Sequence, residues 1–123
     1  MKSLRNRCAI VGIGETNVGR IPEISLLGLN LVAAKKAIED AGLRNSEIDG
    51  VLSRKHIIDP MLCISLMIAE NLGISPRYTT DLDMCGSTPV MMAMHAVMAI
   101  SAGECSTVLC TWGKKELSYA KTR

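Results

Sequence analysis

The sequence predicts an α/β protein with one mostly parallel sheet, and three features of the chain lead to this expectation. Short apolar or β-branched runs alternate with longer stretches whose apolar residues recur at helical spacing. Glycine, proline or small polar residues separate these segments, as they do at the ends of helices and strands. Strands that alternate with helices are joined by right-handed crossovers, so the strands are expected to run parallel with helices covering the sheet.

The first half of the chain contains two predicted strands and two predicted helices. An apolar run closed by glycine predicts a buried strand at residues 8–13. Ser25 is the predicted N-cap of a helix with a charged outer face, and Gly42 ends that helix. A second strand is expected at residues 51–53, and a second helical pattern follows at residues 62–72.

The second half contains two more predicted strands around an unusually apolar helix. β-Branched and aromatic residues predict a third strand at residues 78–82, and a fourth is expected at residues 107–112. Gly-Ser-Thr-Pro at residues 86–89 has the composition of a helix start, with Ser and Thr as caps. Residues 90–102 are apolar on nearly every side, so this helix is expected to be buried in protein.

Composition excludes several functional classes. The 123 residues suffice for one domain, and 14 Lys and Arg against 12 Asp and Glu give a net charge of only +2. A module that binds nucleic acid needs a basic face, and one that binds single strands also needs stacking aromatic residues. The chain has one Trp, two Tyr and no Phe. We therefore expect no nucleic-acid partner.

Cysteine usage and hydropathy suggest a compartment. The five cysteines are an odd number and include no C-x-x-C pair, which indicates a reduced, cytoplasmic chain without disulfides or a zinc site. The basic N-terminus is not followed by the apolar run of a signal peptide. The apolar stretch at residues 90–102 is shorter than the roughly 20 residues that cross a bilayer, so no membrane span is expected.

Cys85 is the main candidate for chemistry. It lies beside Gly86 at the predicted turn from the third strand into the apolar helix. Backbone N–H groups and the helix dipole at such a turn favour a thiolate and bind a developing oxyanion, so Gly86 and Ser87 form the predicted helix-end anion site. The alternative is a small buried cysteine without chemistry. That structural interpretation is preferred for the other four, Cys8, Cys63, Cys105 and Cys110.

The remaining polar candidates have simpler interpretations. His95 lies within the apolar helix, where one hydrogen bond inside a core or interface is the preferred interpretation over a base or a ligand. His56 lies in a loop without an obvious partner in the sequence. Asp81 and Asp83 could act as an acid–base pair, but capping of a nearby helix N-terminus is preferred.

A dinucleotide site is a further alternative at the start of the chain. Gly12-x-Gly14 follows a predicted strand, as in the dinucleotide-binding fingerprint. Position 17, where that fingerprint has its third glycine, is Asn17, and Pro22 separates the glycines from the next helix. The simpler interpretation is a glycine turn that ends a strand. Stabilisation by NAD or NADP would distinguish the two.

Several segments share their order and spacing with a known family. They are VGIGETNVGR at residues 11–20, the Ala-rich helix and turn at 33–52, Ser-Ala-Gly at 101–103, the strand at 107–112, and Lys-Lys at 114–115. Together they resemble thiolase-like proteins, especially the sterol-carrier type and relatives described as acetyl-CoA acetyltransferases. The resemblance covers essentially the whole chain.

The resemblance implies a fold and an activity. Thiolase-like subunits contain two similar three-layer α/β/α halves, each with a mixed five-stranded sheet. The chain, residues 1–123, is thus expected to be an incomplete N-terminal half-domain without its last strand, loop region and C-terminal half. A cysteine at the start of the buried helix carries the acyl group, and histidines and a second cysteine of the other half serve as base and acid. The implied reactions are Claisen condensation and its thiolytic reverse.

One departure from the family pattern leaves two functions open. Counting back from Ser-Ala-Gly at 101–103 without gaps places the family nucleophile at Gly86, next to Cys85. One hypothesis is an acyl-CoA acyltransferase of lipid metabolism with Cys85 as nucleophile, active only in a longer chain or complex. The other is a non-catalytic dimerisation or scaffold module.

Partners and cofactors also follow from the resemblance. The family pairs its third strands across a two-fold axis, which implies a homodimer through Tyr78–Leu82. A second subunit that supplies the other half is a further expected partner. Acyl-CoA is the expected substrate, and no bound cofactor is expected.

Overall fold

The computed structural model describes residues 3–56 and 62–115, which form one sheet and the helices around it. The sheet has three strands, β1 (Gly50–Arg54), β2 (Tyr78–Leu82) and β3 (Val108–Thr111), in the order β2-β1-β3. Both strand pairs are parallel. The α/β class and the parallel sheet are therefore confirmed, and the described residues include no antiparallel strand.

Three α-helices lie at nearly the predicted positions, the first before β1 and the other two between successive strands. They are α1 (Leu26–Asp40), α2 (Ile64–Leu72) and α3 (Thr88–Ser101). The predicted cap is confirmed, because the hydroxyl oxygen of Ser25 accepts the Gly28 N–H at 2.9 Å. Gly73 at φ 65° terminates α2 in the left-handed region, which glycine adopts at little cost.

The helices form two layers, one on each face of the sheet. Helices α1 and α2 contact each other and one face, while α3 contacts the strands from the other face. Successive residues of β1 point to opposite faces, and both Val51 and Leu52 are fully buried, at 0% exposure. The three-layer half-domain is thus the described architecture.

No helix in the described part of the chain combines the length and the apolar character that a membrane span requires.

The predicted first strand is wrong. Residues 8–13 belong to no strand, and all but Gly12 are exposed rather than buried; Ile10, for example, is 83% exposed. A strand needs a neighbour for its N–H and C=O groups. Among the described residues β3 pairs with β1 alone, so the sheet ends before it reaches residues 8–13.

The N-terminal segment is instead fixed against α1. The Ile13 N–H donates to Asp40 Oδ2 at 2.9 Å, and Lys36 Nζ donates to the Glu15 carbonyl at 2.9 Å. Gly12 and Gly14 touch the helix so closely that an added Cβ would lie 2.3 and 2.2 Å from backbone oxygens of α1. Glycine is therefore required here for close packing against α1, and not for the predicted turn at the end of a strand, because residues 8–14 contain neither a strand nor a turn.

A cleft of about 230 Å³ separates this segment from the end of β3. Residues 14–16 line one side, residues 112–114 line the other, and α1 contributes Leu29 and Ala33.

Helix α3 is less buried than its composition predicts. Only Thr88, Met92 and Ala99 are buried along it. Val90, Met94 and Met98, spaced four residues apart on one face, are exposed, Val90 to 67%. The expectation of burial on nearly every face is therefore wrong for the described residues, because the sheet covers one side of α3 only.

The core interpretation also fails for most of the structural cysteines. Cys105 is buried, as expected, but Cys8 and Cys63 are exposed. Cys8 loses its predicted burial with the first strand. Cys63 lies at the start of α2, where it has φ 54°. Cys110 keeps an exposed surface, yet enough protein surrounds its sulfur that desolvation raises the pKa of the thiol to about 11.

Candidate active site

The carboxyl ends of the three parallel strands meet at one edge of the sheet. Arg54 ends β1, Asp83 directly follows β2, and Trp112 directly follows β3. In open α/β sheets this edge is where ligands bind. The turn that leads from β2 into α3, and with it Cys85, lies at the same edge.

Cys85 is exposed and has an unusual backbone conformation. It opens a short 3₁₀ turn, Cys85–Ser87, that continues into α3. Its φ is 53°, in the left-handed region. For a residue with a side chain this conformation costs on the order of 1–3 kcal/mol, so surrounding contacts must hold it. Such outliers are concentrated at functional sites.

Three side chains bind the backbone of this turn. Asp83 Oδ1 accepts the Cys85 N–H at 3.2 Å. The Thr88 hydroxyl accepts the Met84 N–H at 2.9 Å and donates to the Cys85 carbonyl at 2.8 Å. The Ser87 hydroxyl donates to the Met84 carbonyl at 2.7 Å. The predicted caps are therefore wrong in detail, because both hydroxyls fasten the turn and Ser87 makes no side-chain capping bond to α3.

Gly86 presents an open position beside Cys85. An added Cβ would have no atom within 4 Å, and the φ of Gly86 lies outside the left-handed region. A side chain is thus sterically allowed at position 86. The Ser87 N–H donates to the Met84 carbonyl at 3.2 Å, whereas the Gly86 N–H has no acceptor among the described residues. Of the predicted anion site, the Gly86 amide is the donor left available.

Arg54 and Trp112 complete the edge of the sheet. Arg54 Nε lies 3.3 Å from Asp83 Oδ1, and the two side chains are only 14% and 25% exposed. The guanidinium carbon of Arg54 lies 5.4 Å from the centroid of the Trp112 ring, within the range of a cation–π contact. Neither residue was predicted from the sequence as part of the site. Their position at the ends of predicted strands was the available signal.

The other polar candidates lie in separate environments. Asp81 Oδ1 accepts the Ser65 N–H at 2.9 Å and so caps the start of α2, which is the capping role preferred from the sequence. His56 is buried and His95 is partly buried in α3. Within residues 3–56 and 62–115, no three His, Cys, Asp or Glu side chains converge on a position that could hold a metal ion.

Two of the other cysteines are poor nucleophiles for a physical reason. Burial raises the pKa of the Cys110 thiol to about 11, and burial is also the largest cause that raises the pKa of Cys105. Both remain thiols at neutral pH, and the thiol is far less nucleophilic than the thiolate.

The fold and the turn together define a class of protein, an α/β/α half-domain with a cysteine at the start of the helix that covers one face of its sheet. No family profile matches the chain. A curated acetyl-CoA acetyltransferase of Methanocaldococcus jannaschii is 30% identical over 105 residues, which cover 82% of this chain and 26% of the relative. A steroid side-chain-cleaving aldolase of Thermomonospora curvata is 29% identical over 111 residues, 89% of this chain and 27% of the relative.

Solved structures agree with these relatives. An Ltp2-ChsH2(DUF35) aldolase superimposes with a TM-score of 0.80 and 28% identity, over 94% of this chain and 29% of that one. Acetyl-CoA acetyltransferase from Syntrophomonas wolfei has the same fold, with a TM-score of 0.74 at 20% identity, over 82% of this chain and 27% of that one. In sequence and fold the chain is therefore similar to one part of thiolase-like proteins, and it spans about a quarter of the length of the curated relatives it matches.

Proposed function

We propose that the chain is the N-terminal half-domain of a thiolase-like acyl-CoA acyltransferase and that Cys85 carries the acyl group. The observation that carries the proposal is the turn itself. An exposed cysteine is held at φ 53° because its N–H donates to Asp83 and its carbonyl accepts from Thr88, and the neighbouring Gly86 N–H has no acceptor among the described residues. The relatives named acetyl-CoA acetyltransferase support the same class of reaction.

The proposed step is acyl transfer from a thioester to Cys85. The Cys85 sulfur forms a bond to the thioester carbonyl carbon, the carbon–sulfur bond to coenzyme A breaks, and the cysteine proton leaves with the coenzyme A thiol. Charge that develops on the carbonyl oxygen is stabilised by the Gly86 N–H and by the positive end of α3. Histidines and a second cysteine of the other half, as the family resemblance implies, would move protons in the condensation that follows.

Alkylation tests the reactivity of Cys85. At neutral pH, iodoacetamide should modify Cys85 several-fold faster than a free thiol, because the proposed acyl transfer requires an activated nucleophile. Cys63 is the internal control, since it is also exposed, also at positive φ and also at a helix start, but lies at α2 rather than at the site. Peptide mapping gives both rates from one sample. Modification of Cys85 no faster than a free thiol would contradict the proposed nucleophile.

A second candidate function follows from Gly86. The gap-free spacing to Ser-Ala-Gly at 101–103 puts glycine at the family's nucleophile position, where the structure leaves open space. On this hypothesis the chain is a thiolase-like module without a nucleophile, which serves dimerisation or scaffolding. The relative and the solved structure that are named aldolases also support this candidate, with the chain as one part of a complex that cleaves carbon–carbon bonds. Under this candidate no acyl group is captured by Cys85.

The proposed homodimer uses the outer edge of β2. Within the described residues Tyr78–Leu82 pairs only with β1, so its other edge is available to a second copy, and its residues are half-buried. Thr80→Lys should weaken self-association by about tenfold or more, because it places like charges across the paired edge. Asn17→Lys adds the same charge at an exposed site and serves as the control. Sedimentation equilibrium that gives equal dissociation constants for both variants would contradict this interface.

A further inference from the structure

We propose that Arg54 is a positioning residue which, through Asp83, holds Cys85 in its left-handed conformation. This inference rests on the proposed function, because it concerns how the same turn is built. Arg54 lies on the central strand and Cys85 lies beyond the end of an edge strand, so the contact joins the turn to the most firmly held part of the sheet.

A single carboxylate oxygen links the two residues. Asp83 Oδ1 accepts the Cys85 N–H at 3.2 Å and lies 3.3 Å from Arg54 Nε. The oxygen that fixes the cysteine backbone is thus the one that the guanidinium binds. Hydrogen bonds to charged groups are stronger than those between neutral groups, so the position of Arg54 determines where this acceptor lies.

Trp112, which directly follows the third strand β3, limits the movement of the Arg54 side chain. Its ring centroid lies 5.4 Å from the guanidinium carbon, and only 14% of the Arg54 side chain is exposed. A planar guanidinium between a carboxylate and an indole has few alternative positions. The three residues therefore connect the ends of all three described strands to the turn.

Loss of Arg54 should release the turn without unfolding the sheet. The Asp83 carboxylate is 25% exposed, and without a cation it gains more from turning toward water than from remaining in place. The Cys85 N–H then loses its acceptor. A residue at φ 53° that loses such a contact relaxes to a more favourable conformation.

The test compares Arg54→Gln with Arg54→Lys in the 123-residue chain. Hydrogen exchange at the Cys85 amide and the ratio of the iodoacetamide rates of Cys85 and Cys63 are the two readouts. In Arg54→Gln we expect exchange at Cys85 to accelerate at least about tenfold and its rate advantage over Cys63 to disappear. Arg54→Lys keeps the positive charge, so its Cys85 amide should exchange more slowly than that of Arg54→Gln.

Matched controls separate positioning from a general loss of stability. Arg44→Gln removes an arginine whose ion pair with Glu47 is solvent-exposed, and it should leave both readouts unchanged. If Arg54→Gln fails to fold, Trp112→Leu replaces the indole ring with a smaller apolar side chain and leaves Arg54 in place. It should accelerate hydrogen exchange at the Cys85 amide, but by a smaller factor. The inference would be overturned if hydrogen exchange at the Cys85 amide were unchanged in Arg54→Gln. It would also be overturned if exchange at the Cys63 amide accelerated by the same factor. Because amide exchange needs no acyl-CoA, this result is independent of whether Cys85 captures an acyl group.

Discussion

Replacing Cys85 by alanine should abolish acyl capture from an acyl-CoA thioester, with a loss of at least about a thousandfold in rate, because the variant has no sulfur to form the thioester. The fold should be unaffected, since the Cys85 side chain is exposed. Alanine at φ 53° has the same backbone restriction as cysteine, so the change tests the sulfur rather than the conformation. Stopped-flow release of coenzyme A from one enzyme equivalent measures the loss.

A second variant distinguishes Cys85 from the neighbouring position. In Cys85→Ala/Gly86→Cys the thiol moves by one residue into space where a new Cβ meets no atom within 4 Å. If Cys85 is the nucleophile, the double variant stays inactive because the thiol leaves the geometry that the turn provides. Capture by the double variant together with none by the wild type would contradict the proposal and support the second candidate, in which position 86 faces the substrate.

Leu52→Ala should have the largest effect on stability, a decrease in the free energy of unfolding of about 2–5 kcal/mol. Leu52 lies on the central strand, fully buried at 0% exposure between two paired strands. Its removal leaves a cavity in the middle of the sheet. A domain has only about 5–15 kcal/mol of stability in total, so this single change removes a large part of it.

Leu66→Ala is the matched control for this prediction. Leu66 is 47% exposed on α2, and alanine is the better helix former, so its stability should change by less than about 0.5 kcal/mol. Urea unfolding followed by circular dichroism gives both values. Equal effects of the two substitutions would contradict the burial of Leu52.

The parts of the fold that were predicted correctly depend on local chemistry. Ser25 caps α1 with its own hydroxyl, and the helical pattern predicted to stop at residue 72 matches the end of α2, which Gly73 terminates with its own backbone, so neither feature needs a distant partner. The strand Tyr78–Leu82 is observed at its predicted limits because β-branched and aromatic residues favour a pleated backbone. Signals of this kind can be recognised in a single sequence.

The errors arise where the outcome depends on a distant partner. Residues 8–13 have the composition of a strand, but composition does not state whether a neighbouring strand is in place. The apolar face of Val90, Met94 and Met98 likewise predicts burial without identifying what covers it. Both mistakes concern apolar side chains that the described residues leave exposed.

The candidate site was predicted in part. Cys85 is observed at the predicted turn and helix start, because Gly-Ser-Thr-Pro at 86–89 marks the beginning of α3. Its left-handed backbone and the network of Asp83 and Thr88 could not be predicted, since serine and threonine near a helix start are equally suited to capping. The contact of Arg54 with Trp112 joins residues 58 positions apart, and only the sheet order brings them together.

The proposed function requires that Cys85 accepts an acyl group. The most direct measurement is peptide mass mapping of the purified chain, in the assembly in which it is isolated, after exposure to an acyl-CoA thioester and acid quenching. We expect one acyl group on Cys85, removed by hydroxylamine at neutral pH as a thioester is, with none on Cys63, which is also exposed. An unmodified Cys85, or equal modification of Cys85 and Cys63, would contradict it.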